Sequence, residues 1–286
     1  ILRKDVIAEI ISNFALFDYG EAKTGKKVPH ILKNAKLLIF PRFHQLDVVD
    51  KLMEDVETEG IGKRYLIQHS AGSGKSNSIT WLAFKLIKAM PRSLNVKRAK
   101  ALDTPLFNTV IVVVDRKILD RQLTLNVKAF ANSDKIISHA DTSAQLRQAI
   151  VITTIQKFPY IVDDIKDMSS NNFAILIDEA HSSQSGIAAD KLNAAIASDP
   201  DLGGADTDQF IDKLIQERKM SENASYFAFT ATPKRETLER FGIQQPDGSF
   251  RPFHLYSMRQ AIEEGFILDV VTNYTTYHSF YEVVKN

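Results

Sequence analysis

The 286-residue sequence has no cysteine, almost no net charge and no long apolar run. The lack of cysteine excludes disulfides, thiolate zinc sites and a cysteine nucleophile, and it favours a reducing, cytoplasmic location. The 36 basic and 35 acidic side chains give a formal net charge of +1, so nucleic-acid binding would have to use local patches. The longest apolar runs, such as residues 110–114, have strand length and fall far below the roughly 18 residues of a membrane span, so no membrane partner is expected.

Apolar segments of strand length alternate with helical segments after Pro41. The predicted strands are residues 64–69, 109–114, 149–153, 173–177 and 225–229, and the predicted helices include 76–90, 116–130 and 257–264. Strands that are apolar throughout and separated by helices are typical of a parallel sheet covered on both faces. The sequence therefore predicts an α/β fold with a mostly parallel, doubly wound sheet.

The chain divides into three predicted parts. Residues 1–36 form a helical adaptor that ends in a Lys/Gly-rich loop. Residues 37–265 form the main lobe, with an insert at 182–223, and residues 266–286 begin a second, truncated lobe. Because the chain begins on Ile1 and stops inside an alternating segment, we expect it to be part of a longer polypeptide.

Residues 68–76, with the sequence QHSAGSGKS, lie between a predicted strand and a predicted helix. This is the context that a phosphate-binding loop requires. Gly72, Ser73 and Gly74 are expected to direct backbone N–H groups at phosphate oxygens, at the positive end of the helix.

The two residues after these glycines complete the predicted ATP site. Lys75 would neutralise the β- and γ-phosphates, and the hydroxyl of Ser76 would bind Mg²⁺. His69 departs from the consensus, which has glycine at that position. On its own the segment also fits a glycine-rich turn with a chance Gly-Lys-Ser. None of the seven histidines shows metal-ligand spacing, so Mg²⁺ is the only metal expected.

A second apolar strand ends in Asp178-Glu179-Ala180-His181, at the carboxyl edge of the same predicted sheet. Asp178 would hold Mg²⁺ through water, and Glu179 would orient and deprotonate the attacking water. A lone Asp-Glu pair is more often a helix N-terminus, where acidic side chains match the helix dipole. The phosphate loop upstream favours the catalytic interpretation.

A third apolar strand ends in Thr230-Ala231-Thr232-Pro233 and brings hydroxyl groups to the same edge. By itself this signal is weak, because threonine is common at strand ends and turns.

Taken together, these motifs resemble the first RecA-like lobe of superfamily two helicases and, more closely, the motor subunit of type I restriction enzymes. The similarity covers roughly residues 37–270. Its segments are residues 42–45, 69–76, 115–122, 153–158, 178–184, 229–234 and 256–265.

The resemblance implies roles for individual residues. Lys75, Asp178, Glu179 and His181 would be catalytic, and Gln45 would recognise adenine.

Further roles concern DNA and movement. Arg116, Thr153 and Thr154 would contact the DNA backbone. Thr230 and Thr232, together with His181, would couple ATP hydrolysis to movement of the lobes. From the residues alone, Arg116 also fits a helix cap or an ion pair with Asp120. The threonines at 153 and 154 also fit ordinary strand positions.

The resemblance also implies partners: double-stranded DNA and the specificity and methyltransferase subunits of the restriction complex. In that family a nuclease domain precedes the motor, and a second lobe supplies an arginine to the γ-phosphate. Such an arginine is worth about 10³ to 10⁵ in rate, so we expect the chain alone to bind nucleotide but to hydrolyse it poorly.

Two other functions fit the same motifs. One is a superfamily two helicase that acts on single-stranded DNA or RNA. The other is a nucleotide-gated binding module without turnover.

A run of six basic residues within 85–100 contains no acidic residue. It fits a DNA-contact stripe, but a solvated helix end and loop is the favoured interpretation.

Overall fold

The computed structural model describes residues 3–18, 37–114, 137–139, 149–154, 158, 161, 165, 168–178 and 222–269. The helices with described ends are α1 (Lys4–Asn13), α2 (Phe43–Glu59), α3 (Lys75–Leu86), α4 (Arg235–Phe241) and α5 (Met258–Glu263). The strands are β1 (Leu16–Asp18), β2 (Leu37–Ile39), β3 (Arg64–His69), β4 (Thr109–Val114), β5 (Ile137–His139), β6 (Ile150–Thr154), β7 (Phe173–Ile177), β8 (Ala224–Thr230), β9 (Ile243–Gln244), β10 (Phe250–Arg251) and β11 (His254–Tyr256).

A seven-stranded sheet organises the chain, in the order β11-β3-β8-β7-β4-β6-β5. Every neighbouring pair in it is parallel. All described positions of β4, β6, β7 and β8 are buried, as expected for strands covered on both faces. The predicted α/β fold with a parallel, doubly wound sheet is confirmed.

Alternate residues of each central strand contribute to different cores. Val112 of β4 packs in a cluster with Leu52 of α2 and Trp81 of α3. Its neighbour Ile111 faces the opposite side and packs with residues that include Phe241 of α4. Since β4 must be apolar on both faces, its sequence is an uninterrupted TVIVVV.

The first helix packs against this core. The ring of Phe14, which follows α1, lies 5.6 Å from the ring of Trp81, centroid to centroid, and both side chains are fully buried. Within the helix itself, Ile10 is buried whereas Ile11 is 60% exposed. Beyond the helix, β1 pairs antiparallel with β2.

Several elements were not predicted from the sequence. They are α2, α4, the β1–β2 pair, β5, the β9–β10 hairpin and β11, the short edge strand beside β3. The predicted helix at 116–130 and the insert at 182–223, apart from its last two residues, lie outside the described residues. Among the helices that the structure describes, none combines the length and apolar character needed to cross a membrane.

Candidate nucleotide site

The carboxyl ends of the parallel strands bring the predicted motifs to one edge of the sheet. The phosphate loop follows β3, Thr230 ends β8, and Asp178 follows β7, with β8 between the other two strands. Thr230 pairs in register with Gln68 of β3. The backbone N–H of Asp178 donates to the carbonyl of Val113 at 2.9 Å. Three motifs that are far apart in sequence therefore share one edge.

Two glycines of the phosphate loop have left-handed backbone conformations, with φ of +73° at Gly72 and +80° at Gly74. A Cβ on Gly74 would lie 2.4 Å from Nε2 of Gln45, and one on Gly72 would lie 2.9 Å from Cγ2 of Ile267. Glycine is therefore required here both for backbone conformation and for space. Helix α3 begins directly after the loop, at Lys75.

The donor set of the loop fits a phosphate group. The first N–H groups of a helix lack intrahelical partners and carry partial positive charge. The hydroxyl of Ser73 is buried and makes no hydrogen bond within the described residues. Lys75 is 7% exposed at the first position of α3. The loop thus offers the kinds of group that bind phosphates, which fits ATP, the cofactor predicted from the sequence.

Magnesium would be bound together with the nucleotide. The described residues contain no cluster of three His, Cys, Asp or Glu side chains able to hold a metal ion. Ser76 is partly buried and Asp178 is 4% exposed, and both supply the oxygen ligands that Mg²⁺ prefers. Phosphate oxygens and water would complete such a site.

The start of α2 holds the phosphate loop through side chains. Nη1 of Arg42 donates to the carbonyl of Gly72 at 3.2 Å. Nε2 of Gln45 donates to the carbonyls of Ser73, at 3.2 Å, and Gly74, at 3.0 Å. Oε1 of Gln45 accepts from the backbone N–H of Arg42 at 2.8 Å. Both amide hydrogens of Gln45 thus point at the loop, and one lone pair of Oε1 is left for another donor.

His44 contacts the same loop and was not predicted as a site residue. Its Nε2 lies 3.0 Å from the carbonyl oxygen of Ser73. Its ring stacks on Tyr256 with 3.7 Å between centroids and 11° between planes. Burial lowers the pKa of His44, so the ring is neutral near pH 7. A signal was present in the sequence, because His44 directly precedes Gln45 in the segment that carries the family resemblance.

A chain of hydrogen bonds runs from β3 to α2 through two histidines. Nε2 of His69 lies 2.8 Å from Nδ1 of His254, and Nε2 of His254 lies 2.9 Å from Oδ2 of Asp47. Because the carboxylate accepts, Nε2 of His254 donates, and its Nδ1 accepts from His69. Burial lowers the pKa of His69 to about 2. The departure from the glycine consensus is thus accommodated by a neutral, fully buried ring.

The segment after β11 lies against the phosphate loop. The carbonyl of Tyr256 accepts from the N–H of Ser70 at 3.0 Å. The guanidinium of Arg42 lies 4.0 Å from the ring centre of Phe266. Ile267 contacts Gly72, as described above. The loop is therefore enclosed by α2 on one side and by residues 256–267 on another.

The remaining predicted residues differ in their exposure. Thr230 is fully buried, whereas Thr232 is exposed. Thr153 and Thr154 are buried in β6, at 3% and 7% exposure. The predicted residues Arg116, Glu179 and His181 lie outside the described residues.

The basic run makes contacts within the chain. Lys85 pairs with Glu9 at 2.6 Å and with Asp50 at 3.1 Å. Arg92 pairs with Glu57 at 3.4 Å. Two further basic residues, Arg98 and Lys100, donate to the backbone carbonyls of residues 169 and 170. These contacts support the structural interpretation of the run over a DNA-contact stripe.

The fold and the loop define a class: a RecA-like α/β lobe in which a phosphate loop follows a strand of a parallel sheet. Residues 44–282 match the family described as SWI2/SNF2 ATPase. The chain belongs to the SWI2/SNF2 ATPase family.

Proteins with similar sequences include subunits of type I restriction enzymes. The endonuclease subunit of the type I restriction enzyme SauCOLORF180P from Staphylococcus aureus is 26% identical over 249 residues, or 84% of this chain. The corresponding subunit of HindI from Haemophilus influenzae is 25% identical over 95% of this chain. The predicted resemblance to type I restriction subunits is confirmed. The chain spans only 22% and 23% of the length of these two relatives.

A solved structure of the Hef helicase domain from Pyrococcus furiosus is similar over 72% of this chain and 37% of its own. Its TM-score is 0.43 and its sequence identity is 18%.

Proposed function

We infer that this chain is the first ATP-binding lobe of a motor that moves double-stranded DNA within a type I restriction complex. The observation that carries the proposal is the shared sheet edge, where the phosphate loop, Thr230 and Asp178 end neighbouring parallel strands. The similarity to type I restriction endonuclease subunits supports the choice of complex. The partners would be DNA and the specificity and methyltransferase subunits.

The proposed hydrolytic residues act at this edge. Lys75 binds the β- and γ-phosphates, and Ser76 and Asp178 hold Mg²⁺, which neutralises charge on the phosphates. Glu179 orients the attacking water and takes its proton. His181 is proposed to act with them.

Other residues link hydrolysis to DNA. Thr230 and Thr232, with His181, are proposed to couple hydrolysis to movement of the lobes. Arg116, Thr153 and the last residue of β6, at position 154, are proposed to contact the DNA backbone.

Adenine recognition is proposed for Gln45. Because both amide hydrogens of Gln45 already donate to the phosphate loop, the available group is a lone pair of Oε1, which suits the amino group of adenine.

The test is steady-state ATP hydrolysis by the full-length polypeptide with its partner subunits, measured with double-stranded DNA, single-stranded DNA and RNA. We expect strong stimulation by duplex DNA alone. Lys75→Ala provides the blank. Lys88→Ala, an exposed lysine just beyond α3, is the matched control and should hydrolyse ATP like the unmodified protein.

The other outcomes separate the alternatives. Stimulation by single strands or RNA would assign the chain to a helicase. Nucleotide binding that Lys75→Ala abolishes, with no hydrolysis in any nucleic acid, would indicate a nucleotide-gated binding module. ATP hydrolysis at the same rate with and without each nucleic acid would contradict the proposed motor function.

A further inference from the structure

We propose that His44 is a positioning residue of the phosphate loop, which aims the backbone N–H of Gly74 at the bound phosphates, and that Tyr256 holds the ring of His44 for this purpose. The inference rests on the proposed nucleotide site. It assigns a role to a residue outside the phosphate loop and outside the predicted catalytic set.

The carbonyl of Ser73 receives two side-chain donors from adjacent residues of α2. Nε2 of His44 lies 3.0 Å away and Nε2 of Gln45 lies 3.2 Å away. Because a carbonyl oxygen only accepts, the proton of the neutral His44 ring is on Nε2. Two donors that converge on one oxygen restrict rotation of the peptide between Ser73 and Gly74.

A planar trans peptide converts this restraint into a direction for the N–H group. The C=O of Ser73 and the N–H of Gly74 belong to the same peptide unit and point in opposite directions. When the carbonyl is drawn toward α2, the N–H of Gly74 must point away from α2. The carbonyl of Gly74 accepts from Gln45 and also from the N–H groups of Asn77 and Ser78 in α3, so the N–H of Lys75 points toward the N-terminal end of that helix. Consecutive N–H groups that share one side form an anion-binding concavity.

The His44 ring is restrained from the other side by residues distant in sequence. It stacks on Tyr256, as described above, and meets the edge of the His69 ring at 5.4 Å between centroids. The hydroxyl of Tyr256 donates to Oε2 of Glu264 at 2.7 Å. With His44 only 3% exposed, its ring has little freedom to turn away from Ser73.

The design of the test separates the hydrogen bond from the packing. His44→Phe keeps a ring on Tyr256 but removes the donor. His44→Gln keeps a donor at nearly the position of Nε2 but removes the ring. A role in packing alone predicts that phenylalanine is the better replacement, whereas a positioning role predicts that glutamine is.

The measurement is the affinity of the full chain for Mg²⁺ and a fluorescent ADP analogue, with the unfolding temperature of each variant taken without nucleotide. We expect His44→Phe to weaken binding by about 3- to 10-fold, the worth of one neutral hydrogen bond. His44→Gln should restore affinity to within about 2-fold of the unmodified chain, even if its unfolding temperature is the lower of the two.

Several results would overturn the proposal. His44→Phe that binds as tightly as the unmodified chain, or His44→Gln that binds as weakly as His44→Phe, would reduce His44 to a packing residue. If His44→Phe does not fold, Tyr256→Leu takes its place, with about 3-fold weaker binding expected from the freed His44 ring. Unchanged affinity in Tyr256→Leu would contradict the proposal equally.

Failure of the proposed function gives a different pattern. In that case the unmodified chain does not bind the nucleotide, or binds it equally well with Lys75→Ala. Binding that depends on Lys75 but not on the donor at position 44 would sink only the positioning role.

Discussion

The two edges of the parallel sheet use polar groups in opposite ways. At the carboxyl edge, the hydroxyls of Ser70 and Ser73 are buried without a hydrogen-bond partner among the described residues. At the amino edge, the two hydrogens of Nδ2 of Asn223 are shared among three backbone carbonyls, those of residues 165, 168 and 171, at 3.3, 3.1 and 2.9 Å. The first edge keeps hydrogen-bonding capacity for a ligand, whereas the second uses its capacity within the chain.

The side chain of Asn172, also at the amino edge, likewise makes its hydrogen bonds within the chain. Its Nδ2 donates to the carbonyl of Leu106 at 2.8 Å, and its Oδ1 accepts from Nε of Arg98 at 2.7 Å. Arg98 has a φ of +65°, a conformation that costs free energy in a residue other than glycine. The hydrogen bonds of its side chain offset this cost. Substitutions at the carboxyl edge should therefore change nucleotide binding, and those at the amino edge should change stability.

The largest effect is expected for Lys75→Ala. Loss of a charged donor to phosphate should weaken nucleotide affinity by about 30-fold or more. The free energy of unfolding without nucleotide should change by a smaller factor than the nucleotide affinity does. Titration with a fluorescent ADP analogue and urea unfolding measure the two effects. A protein that is strongly destabilised yet still binds nucleotide would contradict the division of roles between the two edges.

Asn223→Ala should give the opposite result. Removing Nδ2 leaves three buried or partly buried carbonyls without this donor, so the free energy of unfolding should fall by about 2 kcal/mol. Nucleotide affinity should stay within about 2-fold of the unmodified chain, since the substitution lies at the far edge of the sheet. Urea unfolding gives the stability, and a clear loss of affinity would show that the two edges are not independent.

Gly72→Ala tests the phosphate loop at the carboxyl edge. The φ of +73° and the contact with Ile267 should together lower stability by about 1 to 2 kcal/mol and also weaken nucleotide binding. Gly248→Ala is the matched control, because Gly248 has a φ of +81° but no atom within 4 Å of its added Cβ. The control should lose stability by about 1 kcal/mol with no change in affinity. Equal affinities in the two variants would argue against a tight fit at Gly72.

The smallest effect concerns pH. Burial lowers the pKa of His69 to about 2, from an ordinary value of 6.5, so this ring stays neutral in the folded chain and takes up a proton only on unfolding. Its contribution to stability is complete above pH 6.5 and is lost progressively as the pH falls below that value. Between pH 7.5 and 5.5 the loss should be about 1 kcal/mol for this residue.

Urea unfolding at several pH values measures this effect. His69→Gln, which keeps a donor for Nδ1 of His254, should show a correspondingly flatter pH dependence over the same range. An unchanged slope would mean that His69 is not the group that titrates.

Local patterns in the sequence determined the main sheet and the phosphate loop. The strands β3, β4 and β7 were predicted with the bounds that the structure has. For β4 and β7 the reason is that strands buried on both faces leave an uninterrupted apolar signal. The phosphate loop was likewise predictable from the sequence, since its motif consists of residues that are close neighbours in the chain.

The surroundings of the phosphate loop depend on contacts between segments that are distant in sequence. The partner of His69 is 185 residues away in His254, and that of His254 is 207 residues away in Asp47. A three-residue strand such as β11 has too little periodicity to be seen in sequence, yet it brings Tyr256 against His44. The sequence alone therefore predicted which residues would hold phosphate, through local backbone chemistry. The side chains that contact these residues became visible only in the folded chain, because contacts between distant segments leave no local pattern.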